Sequence, residues 1–215
     1  MEFVILIVIL IFSAILHEVS HGVAALRLGD PTAKLAGRLT LNPLKHLDPF
    51  GSLLLPALLV IVRSPILFAY AKPVPINPNF FKSFRMGTML TAAAGPLTNL
   101  AIASVFALAM KGILLTGGSI DSLPVLLFFL VILVNIVLMT FNLIPIPPLD
   151  GSKVLGYFFP YLISPQAERF GALLLFPLII LLSPVIGTLF AAVLSAFFAI
   201  FGLTEAFTAL AGSIF

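Results

Sequence analysis

Long apolar runs dominate this chain, and short polar or proline-rich segments separate them. A helix that crosses a bilayer needs about 20 predominantly apolar residues. Five runs reach or approach that length and predict transmembrane helices: residues 3–27, 86–110, 123–144, 170–182 and 185–203. Ser183 and Pro184 separate the last two runs, which predicts a C-terminal helical hairpin. We therefore expect an all-α polytopic membrane protein with about five transmembrane helices.

Two stretches between the first two long runs break the helical pattern. Residues 38–41 (Arg-Leu-Thr-Leu) alternate polar and apolar side chains, which predicts a short β element. Residues 72–81 contain Pro73, Pro75 and Pro78. Because proline fixes φ and lacks an N–H, we expect this second stretch to be extended or turning.

Composition indicates a membrane protein with little mass outside the bilayer. Of the 215 residues, 61% are hydrophobic and 9% are charged, and the mean hydropathy is +1.24. A soluble domain averages about 25% charged residues. We expect one integral-membrane domain over residues 1–215, with its core at 3–155 and the hairpin at 168–203. The absence of cysteine excludes disulfides and cysteine-ligated metal, and no basic patch predicts a nucleic-acid partner.

The chemistry is concentrated in the first span, where residues 17–21 read H-E-x-x-H. Positions four apart share one face of a helix, so His17 and His21 point the same way and suit one Zn²⁺. Glu18 is placed to take a proton from a water activated by that metal. Ionisable groups inside a membrane span are costly, which makes a functional role the first hypothesis. The run lacks the basic start and cleavage site of a signal peptide, so we expect a retained span.

A third metal ligand is expected, because catalytic zinc usually has three protein ligands and one open position. Few ionisable residues lie at membrane depth, and Asp150 is the strongest candidate among them. Pro145, Pro147 and Pro148 precede it and break the helix, which lets the chain turn the carboxylate towards the first span. Gly151 then permits tight backbone geometry.

These motifs together resemble the site-2 protease family of intramembrane zinc metalloproteases (peptidase M50). The resemblance is carried by H-E-x-x-H in one span and by N-x-x-P-x-P-x-L-D-G at residues 142–151 in a later one. Shorter similarities occur at residues 42–49, 72–75 and 94–99. The small, single-domain bacterial or archaeal members are the most similar kind. Larger members differ from this chain, in which we expect no span before the motif, no PDZ domain and no CBS domain.

The resemblance implies a set of residue roles. His17, His21 and Asp150 bind zinc, and Glu18 is the catalytic base. The alternative for the two histidines is a buried pair bonded to helix carbonyls. The alternative for Asp150 is a side-chain cap for a helix that starts near Ser152.

The two motifs must lie at the same depth in the membrane if their side chains bind one metal ion, and this requirement determines the predicted topology. Each motif lies near the C-terminal end of its span, so spans 3–27 and 123–144 must run in the same direction. One crossing between them, by 86–110, satisfies this, whereas a further crossing by 51–71 would carry Asp150 to the opposite face. We therefore expect residues 51–71 to form a re-entrant hairpin, which a membrane tolerates only when protein covers the backbone.

Charge supports the same topology. Lys111 falls on one side, and most other basic residues share the opposite side: Arg27, Lys34, Arg38, Lys45, Lys72, Lys82, Arg85, Lys153 and Arg169. The basic side is expected to be cytoplasmic. We expect a multi-pass protein of a bacterial or archaeal plasma membrane, with its active site towards the cytoplasm.

Peptide hydrolysis also needs a hydrogen-bond donor for the developing oxyanion. Asn142 is the first choice and His46 the second. The alternative for Asn142 is interhelical hydrogen bonding, which is also the role expected for Asn99. The alternative for His46 is a position in an interfacial loop. The strand expected at 38–41 would pair with a locally unwound substrate.

The sequence thus predicts a zinc metalloprotease that cuts transmembrane protein or peptide substrates within the lipid bilayer. One alternative is a catalytically inactive membrane scaffold of the same fold, although every expected catalytic position is present. The other is a metal-ion transporter, which would favour several acidic groups along a path and repeated halves. The sequence leaves the oligomeric state open.

Overall fold

The computed structural model describes residues 2–46, 48 and 72–214, and every structural statement here concerns those residues. Helices form most of this part of the chain: α1 (Glu2–Arg27), α2 (Thr32–Leu35), α3 (Phe84–Leu115), α4 (Leu123–Asn142), α5 (Asp150–Leu155), α6 (Pro165–Leu181), α7 (Ser183–Ile200) and α8 (Thr204–Ile214). Short 3₁₀ turns occur at Pro43–Lys45, Pro78–Phe80 and Pro160–Ile163. The predicted all-helical membrane class is confirmed.

The predicted number of spans needs correction. Four of the described helices are long and apolar enough to cross a membrane: Val4–Arg27, Phe84–Leu115, Leu123–Asn142 and Ser183–Ile200. The fifth span, expected at 170–182, belongs to α6, which has 17 residues. Glu168 and Arg169 lie in its first turns, and the apolar part that follows them is shorter than a crossing requires.

The predicted β element is wrong. Residues 38–41 are irregular, and no strand occurs in the described ranges. Local bonds use the backbone instead: the N–H of Arg38 donates to the carbonyl of Ala33 (3.0 Å), and the carbonyl of Thr40 accepts from the His46 ring (2.9 Å). The alternation of polar and apolar residues at 38–41 therefore occurs in a turn after α2 and not in a strand. The prediction of strand pairing with substrate at 38–41 loses its basis.

The predicted re-entrant hairpin at 51–71 lies outside the described residues, and the single-domain assignment for 1–215 stays a prediction. The chain on either side of that segment is described. The N–H of Lys72 donates to the carbonyl of His46 (2.9 Å), so these two flanking positions lie side by side.

Helices α1, α3 and α4 form the part of the bundle that carries the candidate site. Along α1, His17 contacts Asn99 of α3 and His21 contacts Thr91, so α3 runs antiparallel to α1. Ser13, earlier in α1, contacts Asn135 of α4, and the chain after α4 reaches the histidines. Helices α1 and α4 therefore run in the same direction, as the depth of the two motifs requires.

Small residues on α3 let the other helices approach closely. Its buried face carries Gly87, Ala92, Gly95, Ala103 and Ala107, which lie about one or two helical turns apart. Small side chains at an interface allow close backbone packing in lipid. The small residues of α3 thus lie where helices meet.

A buried apolar cluster holds the end of the bundle away from the histidines. Met110 of α3, Phe129 of α4 and Phe198 of α7 are fully buried there. Ala206 and Leu210 of α8 complete it, although the sequence beyond residue 203 is only mildly amphipathic. Large apolar side chains on the outer faces, such as those of Phe12 and Val105, are exposed, as expected for surfaces that contact lipid.

Candidate metal centre

Three buried side chains from two distant parts of the sequence converge at one point. The Nε2 atoms of His17 and His21 lie 3.1 and 3.2 Å from the same oxygen, Oδ2 of Asp150. The ligand atoms of all three residues lie within 4.8 Å of one another. The structure thus brings together the three residues that the sequence predicts as metal ligands.

The proline-rich bend explains how Asp150 reaches the histidines. Helix α4 ends at Asn142, and α5 begins at Asp150 itself, with Leu149 as its N-cap and no side-chain cap hydrogen bond. The carboxylate therefore does not cap a helix, which was the alternative for this residue. A Cβ on Gly151 would collide with the carbonyl oxygen of Leu143, so this glycine allows α5 to pack against the end of α4.

Each histidine is oriented through its second ring nitrogen. Nδ1 of His17 contacts Oδ1 of Asn99, and Nδ1 of His21 contacts the carbonyl oxygen of Thr91 (2.7 Å). Both partners are acceptors, so each Nδ1 carries a hydrogen and each Nε2 of a neutral ring is free to bind a cation. Ligating histidines in proteins are typically held this way. The buried-pair alternative accounts for the bond to Thr91 but not for two Nε2 atoms directed at one carboxylate.

The sequence did not assign the residues that hold His17. Asn99 donates through Nδ2 to Oδ1 of Asn135 (2.8 Å), and Asn135 donates to Oγ of Ser13 (3.0 Å). Both asparagines are fully buried, so this chain links α1, α3 and α4 and fixes the His17 ring. Both asparagines do form interhelical hydrogen bonds, and Asn99 also orients a candidate ligand. In the sequence, the four-residue spacing that puts Gly95 and Asn99 on one helix face could have indicated that Asn99 lies beside the histidines.

Gly95 leaves room between the two histidines. A Cβ on this residue would lie 2.5 Å from Nε2 of both His17 and His21. The backbone of α3 therefore closes one side of the site without filling it. Two imidazole nitrogens and a carboxylate oxygen form a donor set that suits a tetrahedral metal with one position left open. The residues present fit a bound metal ion.

We expect Gly95→Ala to weaken metal binding by about tenfold or more, the scale of changes beside metal ligands. The added methyl would displace one or both Nε2 atoms. The measurement is metal content and metal affinity of the purified protein. Gly112→Ala, on the same helix but with nothing within 4 Å of its Cβ, is the matched control. Equal metal binding by the two variants would contradict this assignment of the site.

A cavity of about 550 Å³ adjoins the three candidate ligands. Glu18 and Asn142, which the sequence predicts as base and oxyanion donor, also line it. Oε2 of Glu18 accepts a hydrogen bond from the N–H of Val74 (2.9 Å), and Asn142 donates through Nδ2 to the carbonyl of Leu138 (2.9 Å).

His46 is not brought to this cavity. It is absent from the described lining, it is buried, and its Nε2 bonds to the carbonyl of Thr40 (2.9 Å). Its prediction as an oxyanion donor has no support from this geometry.

Comparison with known proteins identifies the family. Residues 112–184 match the model of peptidase family M50. YwhC of Bacillus subtilis is 38% identical over 177 residues, which cover 77% of this chain and 75% of that protein. Rip2 of Mycobacterium tuberculosis is 31% identical over 221 residues, which cover 99% of this chain and 79% of that protein. Both relatives are named, provisionally, as zinc metalloproteases.

A third relative, MJ0611 of Methanocaldococcus jannaschii, is also named provisionally as a zinc metalloprotease. It is 45% identical over 69 residues, which cover 31% of this chain and 32% of that protein. No solved structure matches the chain significantly. The extent of the first two similarities and the family match lead to one conclusion: the chain belongs to peptidase family M50, the site-2 protease family of intramembrane zinc metalloproteases.

Proposed function

We propose that His17, His21 and Asp150 hold a catalytic zinc ion and that Glu18 is the general base for hydrolysis of peptide bonds in or near transmembrane segments. The observation that supports this most strongly is the convergence of three buried ligand atoms within 4.8 Å beside the cavity that Glu18 lines. Bound zinc supplies a Lewis acid that polarises the scissile carbonyl and makes water more acidic.

The protein's own groups prepare the ligands. The hydrogens on Nδ1 of His17 and His21 are held by oxygen acceptors, so the lone pair that each neutral ring would offer to a metal is on Nε2. Asp150 adds the negative charge of the set. Because all three residues are buried, their mutual orientation is maintained by packing as well as by hydrogen bonds.

Glu18 is placed to move the proton. Its Oε2 is occupied by the N–H of Val74, and the second carboxylate oxygen remains for the attacking water. Glu18 would take a proton from that water and return it to the leaving amine. Asn142 is the proposed oxyanion donor: its side-chain nitrogen carries two hydrogens, and the bond to the Leu138 carbonyl uses one.

The substrate is proposed to be a segment of another membrane protein. Apolar side chains, including Val74, Phe81, Phe84 and Ile163, line the cavity together with polar ones such as Thr88, Lys153 and Glu168. Such a mixed lining suits a locally unwound peptide, because it offers contacts both to apolar side chains and to the exposed polar backbone. Exposed apolar side chains on α1 and α3, such as those of Phe12 and Leu97, support entry of the substrate from the bilayer.

The membrane orientation is proposed from charge. Arg27 at the end of α1 and Lys153 on α5 lie at the site end of the bundle, whereas Lys111 lies near the opposite end of α3. Cytoplasmic ends of membrane proteins are enriched in Lys and Arg. We therefore assign the site to the cytoplasmic side of the plasma membrane of a bacterium or archaeon.

The alternatives find no support in the described residues. A transporter would place several acidic groups along a path, whereas the described ranges contain a single group of three metal-ligating side chains. A silent scaffold would not need a base beside a complete ligand set.

Metal removal tests the proposal. We expect about one zinc per purified chain, measured by elemental analysis, and cleavage of a model transmembrane substrate in detergent. A chelator should remove the metal and the cleavage together, and added Zn²⁺ should restore both. Protein without stoichiometric metal, or cleavage that persists after verified metal loss, would contradict the proposal. Stoichiometric zinc without cleavage would favour the scaffold.

A further inference from the structure

Residues 72–77 (Lys-Pro-Val-Pro-Ile-Asn) form an extended segment beside the catalytic helix, which we call the strap. Pro73 and Pro75 hold it extended, because each fixes its own φ and disfavours a helical conformation in the residue before it. Pro73, Val74 and Ile76 line the cavity. The strap is thus a stiff element that adjoins the site without contributing a metal ligand.

One main-chain group of the strap touches the proposed base. The N–H of Val74 donates to Oε2 of Glu18 (2.9 Å). The residues on either side are prolines and have no N–H, so at this point the strap offers Val74 alone as a donor. A hydrogen bond to one carboxylate oxygen restricts rotation of the group, so it limits the directions in which the other oxygen of Glu18 can point.

The strap packs closely against α1, and the shapes of the two surfaces are complementary. A Cβ on Gly22 would lie 2.9 Å from Cγ1 of Val74 and 2.6 Å from Cδ2 of Leu39. The buried Val74 side chain therefore packs where α1 has no side chain, next to His21. This close approach brings the Val74 N–H within reach of Glu18.

A buried carboxylate anchors the C-terminal end of the strap. Asp30 accepts from the N–H of Asn77 (2.6 Å), from the N–H of Thr32 (2.9 Å) and from the Thr32 hydroxyl. Burial alone would raise the pKa of Asp30, but these hydrogen bonds more than offset it and hold the pKa below its usual range. Asp30 thereby joins the end of α1 to the strap.

The N-terminal end is clamped at Lys72 through its backbone. The N–H of Lys72 donates to the carbonyl of His46 (2.9 Å), and its carbonyl accepts from Nη2 of Arg38 (2.6 Å). Arg38 and His46 are both buried, although neither is among the residues lining the cavity. Their hydrogen bonds to the backbone of Lys72 therefore give these two buried residues a structural role in holding the strap.

We propose that the strap positions the catalytic base: the Val74 N–H holds the Glu18 carboxylate in its reactive orientation, while Asp30 and Arg38 keep the strap in place. This inference rests on the proposed role of Glu18 as the base. Val74, Asp30 and Arg38 act through Glu18 and are positioning residues. Their loss should lower turnover without removing zinc, because none of them is a metal ligand.

Val74→Pro removes the donor and keeps the extended conformation that the neighbouring prolines already impose. We expect kcat to fall by about 10- to 100-fold, the scale on which small misplacements of catalytic groups act. We expect KM to change by less than about threefold and zinc content to stay at the wild-type value. Val74→Ala, which retains the N–H, should lose much less turnover than Val74→Pro.

Asp30→Asn provides a second route if Val74→Pro does not fold. It replaces one acceptor oxygen by an amide donor at the anchor, so kcat should fall with zinc retained. Asp121→Asn, in the exposed loop between α3 and α4, is the matched control and should behave as wild type. Wild-type kcat in both strap variants would overturn the inference.

Two further results would also overturn it. Higher kcat in Val74→Pro would show that the contact restrains the enzyme, and loss of zinc would show that the strap supports the metal ligands instead. Glu18→Gln, measured in parallel, separates this inference from the proposed function. If Glu18→Gln cleaves normally, the assignment of the base fails and the strap inference fails with it. If only the strap variants cleave normally, the base assignment stands.

Discussion

Replacing Glu18 with glutamine is expected to abolish cleavage of a transmembrane substrate while zinc stays bound. General acid–base groups contribute about 10²- to 10⁴-fold to rate, and Glu18 is the acidic side chain that follows the first ligand and lines the cavity. Glutamine has nearly the same shape and still offers an oxygen to the Val74 N–H, but it does not accept the proton of the attacking water. Structure and metal content should therefore be preserved.

The measurement is kcat in detergent or proteoliposomes, together with elemental analysis of the same preparation. Glu205→Gln, in the exposed first turn of α8 and outside the cavity lining, is the matched control and should cleave normally. Normal cleavage by Glu18→Gln would remove Glu18 from the mechanism. An inactive variant that keeps zinc would also retain uncleaved substrates, so its co-purifying membrane proteins would identify the natural substrate.

Asp150→Asn is expected to release zinc and, as a consequence, to eliminate cleavage. His17 and His21 would bind zinc as neutral imidazoles, so Asp150 would supply the negative charge of the proposed ligand set. The asparagine amide keeps the size of the side chain but is a poor zinc ligand, because zinc prefers imidazole, thiolate and carboxylate. We expect bound zinc to fall from about one per chain to less than about one tenth.

Glu168→Gln is the control for the Asp150 variant. Glu168 lines the same cavity from α6 but does not belong to the group of three candidate ligands, so its substitution should leave zinc bound. Elemental analysis of both variants after identical purification decides the matter. Stoichiometric zinc in Asp150→Asn, or zinc loss in Glu168→Gln, would contradict the ligand set. Circular dichroism of both variants would separate ligand loss from general unfolding.

Local sequence patterns predicted helix α1 well. The spacing of His17 and His21 requires only that residues 17–21 be helical, and an apolar run of this length in a membrane protein is helical almost by necessity. The prolines before Asp150 ended α4 as expected. In both segments the conformation is determined by residues that are neighbours in the sequence. The prediction therefore did not depend on contacts between distant parts of the chain.

The errors and omissions lie where distant contacts decide the outcome. Residues 38–41 resemble a strand by alternation, but their hydrogen bonds go to α2, His46 and Lys72. Asn99 looks like an ordinary interhelical asparagine until the fold places His17 beside it. Gly95 is one small residue among several in α3, and only the packing of α1 against α3 shows that it leaves space for both Nε2 atoms.

The sequence by itself determined that the chain is a helical membrane protein and which side chains are candidates to bind zinc. Periodicity, hydropathy and proline placement act over a few neighbouring residues, and lipid leaves the backbone few alternatives to a helix. Only the tertiary structure decided that Asp150 meets the histidines, that Asn99 orients His17, and that the Val74 N–H reaches Glu18. Those contacts join residues far apart in the chain, and they depend on how closely α1, α3 and the strap pack, which no local pattern records.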